Sequence, residues 1–221
     1  MSKKHPQKIN IVMDDWQAWK TYPHHSWIFN KLELSLKLGY ECGPSGVPVN
    51  KTDEYIIRPI YNLEGMGINA RIERIEKDKD HHIDPGQFWC EVFDGDQISI
   101  DYIWKKGKLV PIHASKGFNT RENLIEFNRW IIIDPPEIKL PNFIYDFDDV
   151  ENINIEFIDN NIIEIHLRHG ADFPEGASEI IPVWSSNQKE LKEKYNDWLY
   201  QENYEDCQGH LKNPRIGFYY R

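Results

Sequence analysis

The feature that most constrains this chain is the stretch from Asn152 to Gly170, NINIEFIDNNIIEIHLRHG. Read at a period of two, Ile153, Ile155 and Phe157 share one face of a first strand, and Ile163, Ile165 and Leu167 share one face of a second. The other faces carry Asn154 and Glu156, then Glu164, His166 and Arg168. If both apolar faces enter one core, the pleat puts Glu156 and Glu164 on the same side. A three-residue loop at Asp159, Asn160 and Asn161 would pair Ile158 with Ile162 and set the two carboxylates directly opposite.

Facing carboxylates repel each other. At ~5 Å and an effective dielectric of ~20 the repulsion is roughly 3 kcal/mol, more than a cross-strand pair contributes. A positive partner is therefore expected between them: Arg168, a shared proton, or a divalent cation such as Mg²⁺, which one or two carboxylates hold while water and substrate phosphates complete its shell. The cation is the favoured partner, leaving Arg168 to take a phosphate in bidentate fashion. The bland alternative is an exposed hairpin whose charges face water.

A chain of 221 residues fits one domain or one two-lobed unit. Its net charge of -10 argues against a general nucleic-acid binder, which needs a basic surface. Cys42, Cys90 and Cys207 are odd in number and far apart in sequence, giving neither a disulfide framework nor a metal-binding CxxC pair, so a reducing compartment is expected. The first residues hold no apolar run long enough for a signal peptide and no stretch approaches a membrane span, which points to a soluble, cytoplasmic protein.

From the start, residues 9 to 13 read as a short strand. Ser26 to Leu38 reads as a helix capped by Ser26 and ended by Gly39. The adjacent pair His24 and His25 is expected to diverge and not to share a metal ion. Tyr55 to Ile60 reads as a buried strand interrupted by Arg58, followed by a glycine turn at Gly65 and Gly67 and alternating residues through Ile75. After a polar loop, three antiparallel strands are expected: Phe88 to Phe93, Gln97 to Trp104 and Leu109 to His113. Arg121 to Ile133 and Asn187 to Tyr200 read as helices, and Phe173 to Val183 as a loop.

Four separated pieces, in order, resemble the ATP-grasp family. NKLELSLKLGYECGPSGVPV resembles the segment ahead of its nucleotide lid. YIIRPIYNLEGMG resembles its strand with a cation before proline and a glycine loop over the phosphates. FWCEVFDGDQISIDYI resembles its hinge strand, turn and following strand, and IEFIDNNIIEIHLRHG its metal hairpin. Within the family, the resemblance is nearest to ATP-grasp-like proteins of tailed phages.

The resemblance implies an α+β, ATP-grasp-like fold of two small lobes, each with an antiparallel sheet and helices. Residues 1–50 would form an N-terminal segment and helix, 51–93 a reduced lid lobe, and 94–221 a metal-binding lobe with a C-terminal helix. It implies ATP and Mg²⁺ as cofactors: Arg58 in place of the phosphate-binding lysine, Gly65 and Gly67 in the lid, Glu91 and Val92 at the hinge with Gln97 in place of its glutamate. Glu156 and Glu164 would ligate the metal with His166 in place of asparagine, and Arg168 would join Arg58 as the catalytic cations. The implied activity is activation of a carboxylate as an acyl phosphate for attack by an amine. The acceptor would be a small molecule or peptide, no nucleic acid or membrane partner is expected, a homodimer is open, and the setting would be the cytoplasm, that of a host if a phage encodes the chain.

The substitutions at Gln97 and His166 and the short lid over residues 76 to 87 favour an alternative: a non-catalytic nucleotide-binding or protein-interaction module on the same fold. A third reading, a metal-dependent hydrolase, would need His24, His25, His81, His82, His113, His166 or His169 to converge, with no ligand spacing in the sequence to bring them together.

Overall fold

Twelve strands fall into two antiparallel sheets in the structure, a computed structural model that describes residues 13–63, 65, 67–119, 123–170, 173–174, 176–202 and 211–221. The smaller sheet contains β1 (Cys42–Pro44), β2 (Asp53–Pro59), β3 (Arg71–Ile75) and β4 (Gln87–Glu91) in the order β1-β4-β2-β3. The larger holds β5 (Gln97–Lys105), β6 (Lys108–Phe118), β7 (Arg129–Ile132), β8 (Asn152–Ile158), β9 (Asn161–His166), β10 (Glu179–Trp184), β11 (Leu199–Glu202) and β12 (Arg215–Tyr220). Their order is β11-β12-β10-β7-β6-β5-β8-β9, which leaves β9 at one edge.

The first helix, α1 (Asp15–Thr21), begins where the Asp14 carboxylate accepts from the Gln17 amide and the Gln17 side chain accepts from the Asp14 amide, a reciprocal cap that satisfies two orphan donors. A 3-10 helix, Pro23–Phe29, follows with proline at its start. Asn30 then caps α2 (Lys31–Leu38), and Gly39 ends it in the left-handed conformation at φ 79°. The single helix expected from Ser26 is thus two pieces, because the Asn30 side chain takes the Glu33 amide and restarts the chain there.

The main core lies where these helices meet the hairpin. Ile153, Ile155, Phe157, Ile165 and Leu167 pack with Ala18, Ile28, Phe29 and Leu34, and with Ile144 and Phe147 from the segment before β8. Each isoleucine, leucine or phenylalanine so buried contributes ~1.5–3 kcal/mol. The 3-10 helix and α2 run against β9, so the exposed edge of the larger sheet is covered. A smaller core of Val49, Tyr55, Ile57, Ile75, Ile83 and Trp89 supports the four-stranded sheet.

Four other expectations give way to sheet pairing. Phe88 to Phe93 does not open a three-stranded meander: β4 pairs with β1 and β2 in the smaller sheet, and only β5 and β6 pair as expected in the larger. Residues 129–132, within the helix expected from Arg121, form β7 between β6 and β10, because Trp130, Ile131 and Ile132 suit a half-buried pleat; Arg121 itself lies outside the described residues. Helix α3 (Gln188–Lys194) is shorter than expected, and Tyr200 belongs to β11. The expected loop ending at Val183 contains β10, buried along its length. Pro182 is tolerated there because β7 pairs only Glu179 and Ile180, leaving one side of β10 without a neighbour at the proline. Residues 9–12 of the first expected strand, and Cys207, also lie outside the described residues. Cys42 and Cys90, distant in sequence, are direct cross-strand partners and free thiols. No helix among the described residues is long and apolar enough to cross a membrane.

Candidate functional site

The hairpin carries the site. Its turn holds two residues, Asp159 and Asn160, with Asp159 at φ 55°, so that Ile158 pairs with Asn161 and Phe157 with Ile162. That register alone would offset the carboxylates. A bulge beside Ile163 adds one residue and restores the pairing of Glu156 with Glu164, then Asn154 with His166. The expected turn was one residue too long, yet the expected carboxylate pair forms. Across β5, Ser99 lies opposite Glu156 and Asp101 opposite Asn154, extending the polar row.

Lys31 and His166 are the cations at the carboxylate pair. Lys31, buried on α2, places Nζ 2.7 Å from Glu164 Oε1, while Gln97 Nε2 donates to Glu156 Oε2 at 3.0 Å. His166 Nε2 stands 3.7 Å from Glu156 and 3.9 Å from Glu164, and its Nδ1 meets Asp15 at 2.9 Å. Burial would lower the imidazole, but the Asp15 carboxylate outweighs it and raises the ring to about 10. Burial likewise pushes Glu164 up, and Lys31 and His166 outweigh it, leaving that carboxyl below its usual range. His166 thus turns Nε2 toward both carboxylates while Asp15 holds Nδ1, so its ring stands at the position that the ligand role read from sequence requires.

Arg168 is also placed differently from expectation. Its Nε and Nη2 donate to the two oxygens of Asp15 at 2.7 and 3.1 Å, and Nη1 donates to the His169 carbonyl. The fork expected to take a phosphate is held by Asp15, because a carboxylate only 3% exposed requires compensation. Burial raises the Asp15 carboxyl, yet His166 and Arg168 together bring it far below the usual carboxylate range.

The other expected residues come from the smaller sheet and the hinge. Arg58 on β2 reaches across to the hairpin, donating from Nη1 to the Ile163 carbonyl at the bulge at 3.0 Å, while its buried Nε has no partner. Gly65 and Gly67 adopt φ 75° and 60°, left-handed values that side chains rarely take, and the Asn62 amide donates to the Gly65 carbonyl; Glu64 and Met66 lie outside the described residues. Glu91 uses its carboxylate to accept from the Glu41 amide at 2.8 Å. Arg58, Gly65, Gly67, Glu91, Val92, Gln97, Glu156, Glu164, His166 and Arg168 all line one cleft of about 480 Å³ between the sheets. That volume is within the usual range for a small-molecule site.

The donors suit a phosphate-bearing ligand in part. Two facing carboxylates fit a hard divalent cation, and a guanidinium in the same cleft as two left-handed glycines fits phosphate oxygen. Lys31 and His166 already balance the carboxylates, so the set fits fewer cations than the bare pair would.

Sequence reasoning missed Lys31, Asp15 and Asp101. Asp101, 2% exposed, accepts from the Asn154 amide and the Gly170 backbone and lies near His113 and His169. The charge of Lys31 at the start of an otherwise leucine-rich helix was the available signal. Among the described residues the histidines do not gather at one centre: His24 and His25 meet Asp149, His113 and His169 approach Asp101, His166 meets Asp15, and His81 meets the Val47 carbonyl.

No family model and no curated protein matches the chain by sequence. Among solved structures, N5-carboxyaminoimidazole synthetase from Staphylococcus aureus complexed with ADP aligns over 94% of this chain and 73% of its own, at 9% identity and TM-score 0.52. Carboxyaminoimidazole ribonucleotide synthase from Aspergillus clavatus complexed with ATP aligns over 93% and 69%, at 12% identity and TM-score 0.50. An ATP-grasp superfamily protein from Archaeoglobus fulgidus aligns over 98% and 74%, at 11% identity, with a TM-score of 0.47 that supports no further argument. At such identities the likeness concerns the fold alone: α+β, with two antiparallel sheets.

Proposed function

We propose that this chain is an ATP-grasp-type, ligase-like protein that binds Mg-ATP in the cleft between its sheets, working in the cytoplasm, that of a host if a phage encodes it. The observation that carries the reading is the convergence of all ten sequence-derived residues on that cleft. Nucleotides named in the similar structures support it. Glu156 and Glu164 would hold Mg²⁺; Arg58, Gly65 and Gly67 would face phosphates; Glu91, Val92 and Gln97 would border the base and ribose. Bound Mg-ATP would supply the phosphoryl group that activates a substrate carboxylate for an amine.

The chain's own groups prepare for this. Arg58 ties the smaller sheet to the hairpin, so the cleft's width is set where its charge is presented. Asp15 fixes His166 and Arg168 in place, and their charges give the cleft floor a positive component beside the carboxylates.

A second reading, a nucleotide-binding module without ligase chemistry, is favoured by one specific arrangement: Lys31 and His166 already neutralise the carboxylates, and Arg168 is engaged by Asp15.

Thermal unfolding with and without saturating Mg-ATP tests the site. Ligand at 100 times its dissociation constant stabilises by ~2.7 kcal/mol, a rise of roughly 5 to 11 °C for a chain of this size. Glu156→Gln and Arg58→Gln should each abolish most of the rise. Absence of a shift with ATP or ADP would remove the nucleotide reading, and a shift without turnover across carboxylate and amine acceptors would select the module.

A further inference from the structure

A second constellation lies outside the cleft. His24 and His25 occupy consecutive positions of the 3-10 helix Pro23–Phe29, where three residues per turn separate neighbours by about 120°. Their rings are nevertheless 4.0 Å apart at 49°, and both Nε2 atoms turn to the same carboxylate, His24 to Asp149 Oδ2 at 2.9 Å and His25 to Oδ1 at 2.7 Å. The divergence expected of adjacent histidines does not occur, because Asp149 arrives from the far side of the chain, 124 and 125 residues on, and draws both rings together.

We propose that His24, His25 and Asp149 form a binding site for a divalent transition metal of the Zn²⁺ class. Two imidazole nitrogens and one carboxylate oxygen lie within 4.8 Å of one another, and among the described residues they are the group of three or more metal-ligating side chains that meets this spacing. That donor set suits borderline-soft Zn²⁺, with water completing the tetrahedron, and does not suit Mg²⁺, which prefers an all-oxygen shell.

Three further observations support it. His25 is nearly buried and braced edge-on by Phe147 at 4.9 Å, so one ligand is held in place before the metal arrives. The side chains of His24 and Asp149 are 60% and 44% exposed, leaving a path for a hydrated ion. The adjacent exposed acids Asp146, Asp148 and Glu151 raise the local cation concentration.

The site's place in the chain gives it a consequence. His24 and His25 stand just before α2, which supplies Lys31, and Asp149 stands just before β8, which supplies Glu156. A metal there would clip together the two segments that feed opposite sides of the carboxylate pair, closing a chain loop of more than 120 residues. None of the three ligands lines the cleft, so the clip is independent of nucleotide binding.

The test uses the full chain with no affinity tag, stripped of metal and titrated with Zn²⁺ against a chromophoric chelator; Co²⁺ is the spectroscopic probe. One tight equivalent is expected, together with the visible absorption of tetrahedral Co²⁺. His24→Gln removes an exposed side chain and Asp149→Asn preserves shape, so both should fold, as circular dichroism would verify. Each should weaken Zn²⁺ by more than the 10- to 100-fold typical of losing a group behind a metal ligand. Mg-ATP thermal shifts should be the same in these variants as in the parent chain, so failure of the clip is distinguishable from failure of the nucleotide site. Lack of a tight equivalent, unchanged affinity in both variants, or loss of the equivalent in His81→Gln instead would overturn the assignment.

Discussion

Asp15 and Asp149 each hold two basic side chains, yet they are opposite kinds of site. Asp15 is 3% exposed and locked between His166 and Arg168, whereas Asp149 is open to solvent between His24 and His25. Burial makes the first arrangement an obligate charge balance, since removing any member leaves an uncompensated charge in low dielectric. Exposure makes the second exchangeable: water can replace any partner, and so can a metal ion. A carboxylate between two basic side chains therefore serves as scaffold in one place, with histidine and arginine, and as a candidate receptor in the other, with two histidines.

The comparison breaks most directly at Asp15. Asp15→Ala leaves His166 and Arg168 without their shared partner and should cost ~3–5 kcal/mol in urea unfolding. A loss below ~1 kcal/mol would show that burial does not separate the two sites. Next in size is Lys31→Met, which strands Glu164 and should cost roughly 2–3 kcal/mol, less than a fully enclosed pair because Glu164 reaches the cleft. Combining it with Glu164→Gln should recover part of the loss, measured as a double-mutant cycle.

Alkaline pH sharpens the same contrast. The pKa of His166 is raised on folding to about 10, so its contribution is complete below the ordinary histidine value of ~6.5 and is lost as pH rises toward the folded value. Stability should therefore fall between pH 7 and pH 10 by on the order of 1 kcal/mol or more, and His166→Gln should flatten that limb of the thermal profile. Asp15 has the opposite sign: its lowered carboxyl contributes above the usual carboxylate range and is lost only in acid. The smallest effect belongs to Asp149→Asn, which without Zn²⁺ should change unfolding free energy by less than ~1 kcal/mol. A larger change there would mean that the exposed cluster is scaffold too.

Much of the cleft was legible because it depends on local rules. Period-two alternation with the expected three-residue turn places Glu156 opposite Glu164; the actual two-residue turn would offset them, and the bulge restores the pair, sending Ile162 to the core and Ile163 to the cleft. Arg58, Gly65 and Gly67 stand in one short strand and turn, whereas Glu91, Val92 and Gln97 follow only from the resemblance to the ATP-grasp family. Segments whose patterns suit two structures were less legible. Trp130, Ile131 and Ile132 pack equally well on a helix face or a pleat, and only the neighbours β6 and β10 make them a strand. The proline of β10 reads as a breaker until the absence of a β7 partner beside it is known.

By itself, the sequence determined the carboxylate hairpin, the pairing of β5 with β6, the glycine turn and the α+β class, since each rests on periodicity or turn chemistry within a few dozen residues. The tertiary structure alone decided which charges neutralise those carboxylates and where the histidines go. Lys31 meets Glu164, Asp15 meets His166 across 151 positions, and Asp149 gathers His24 and His25 across 125 and 124. Periodicity tells a side chain which face to occupy, but the partner it finds there depends on how distant segments pack, and a buried charge leaves no local signature of the residue that will balance it.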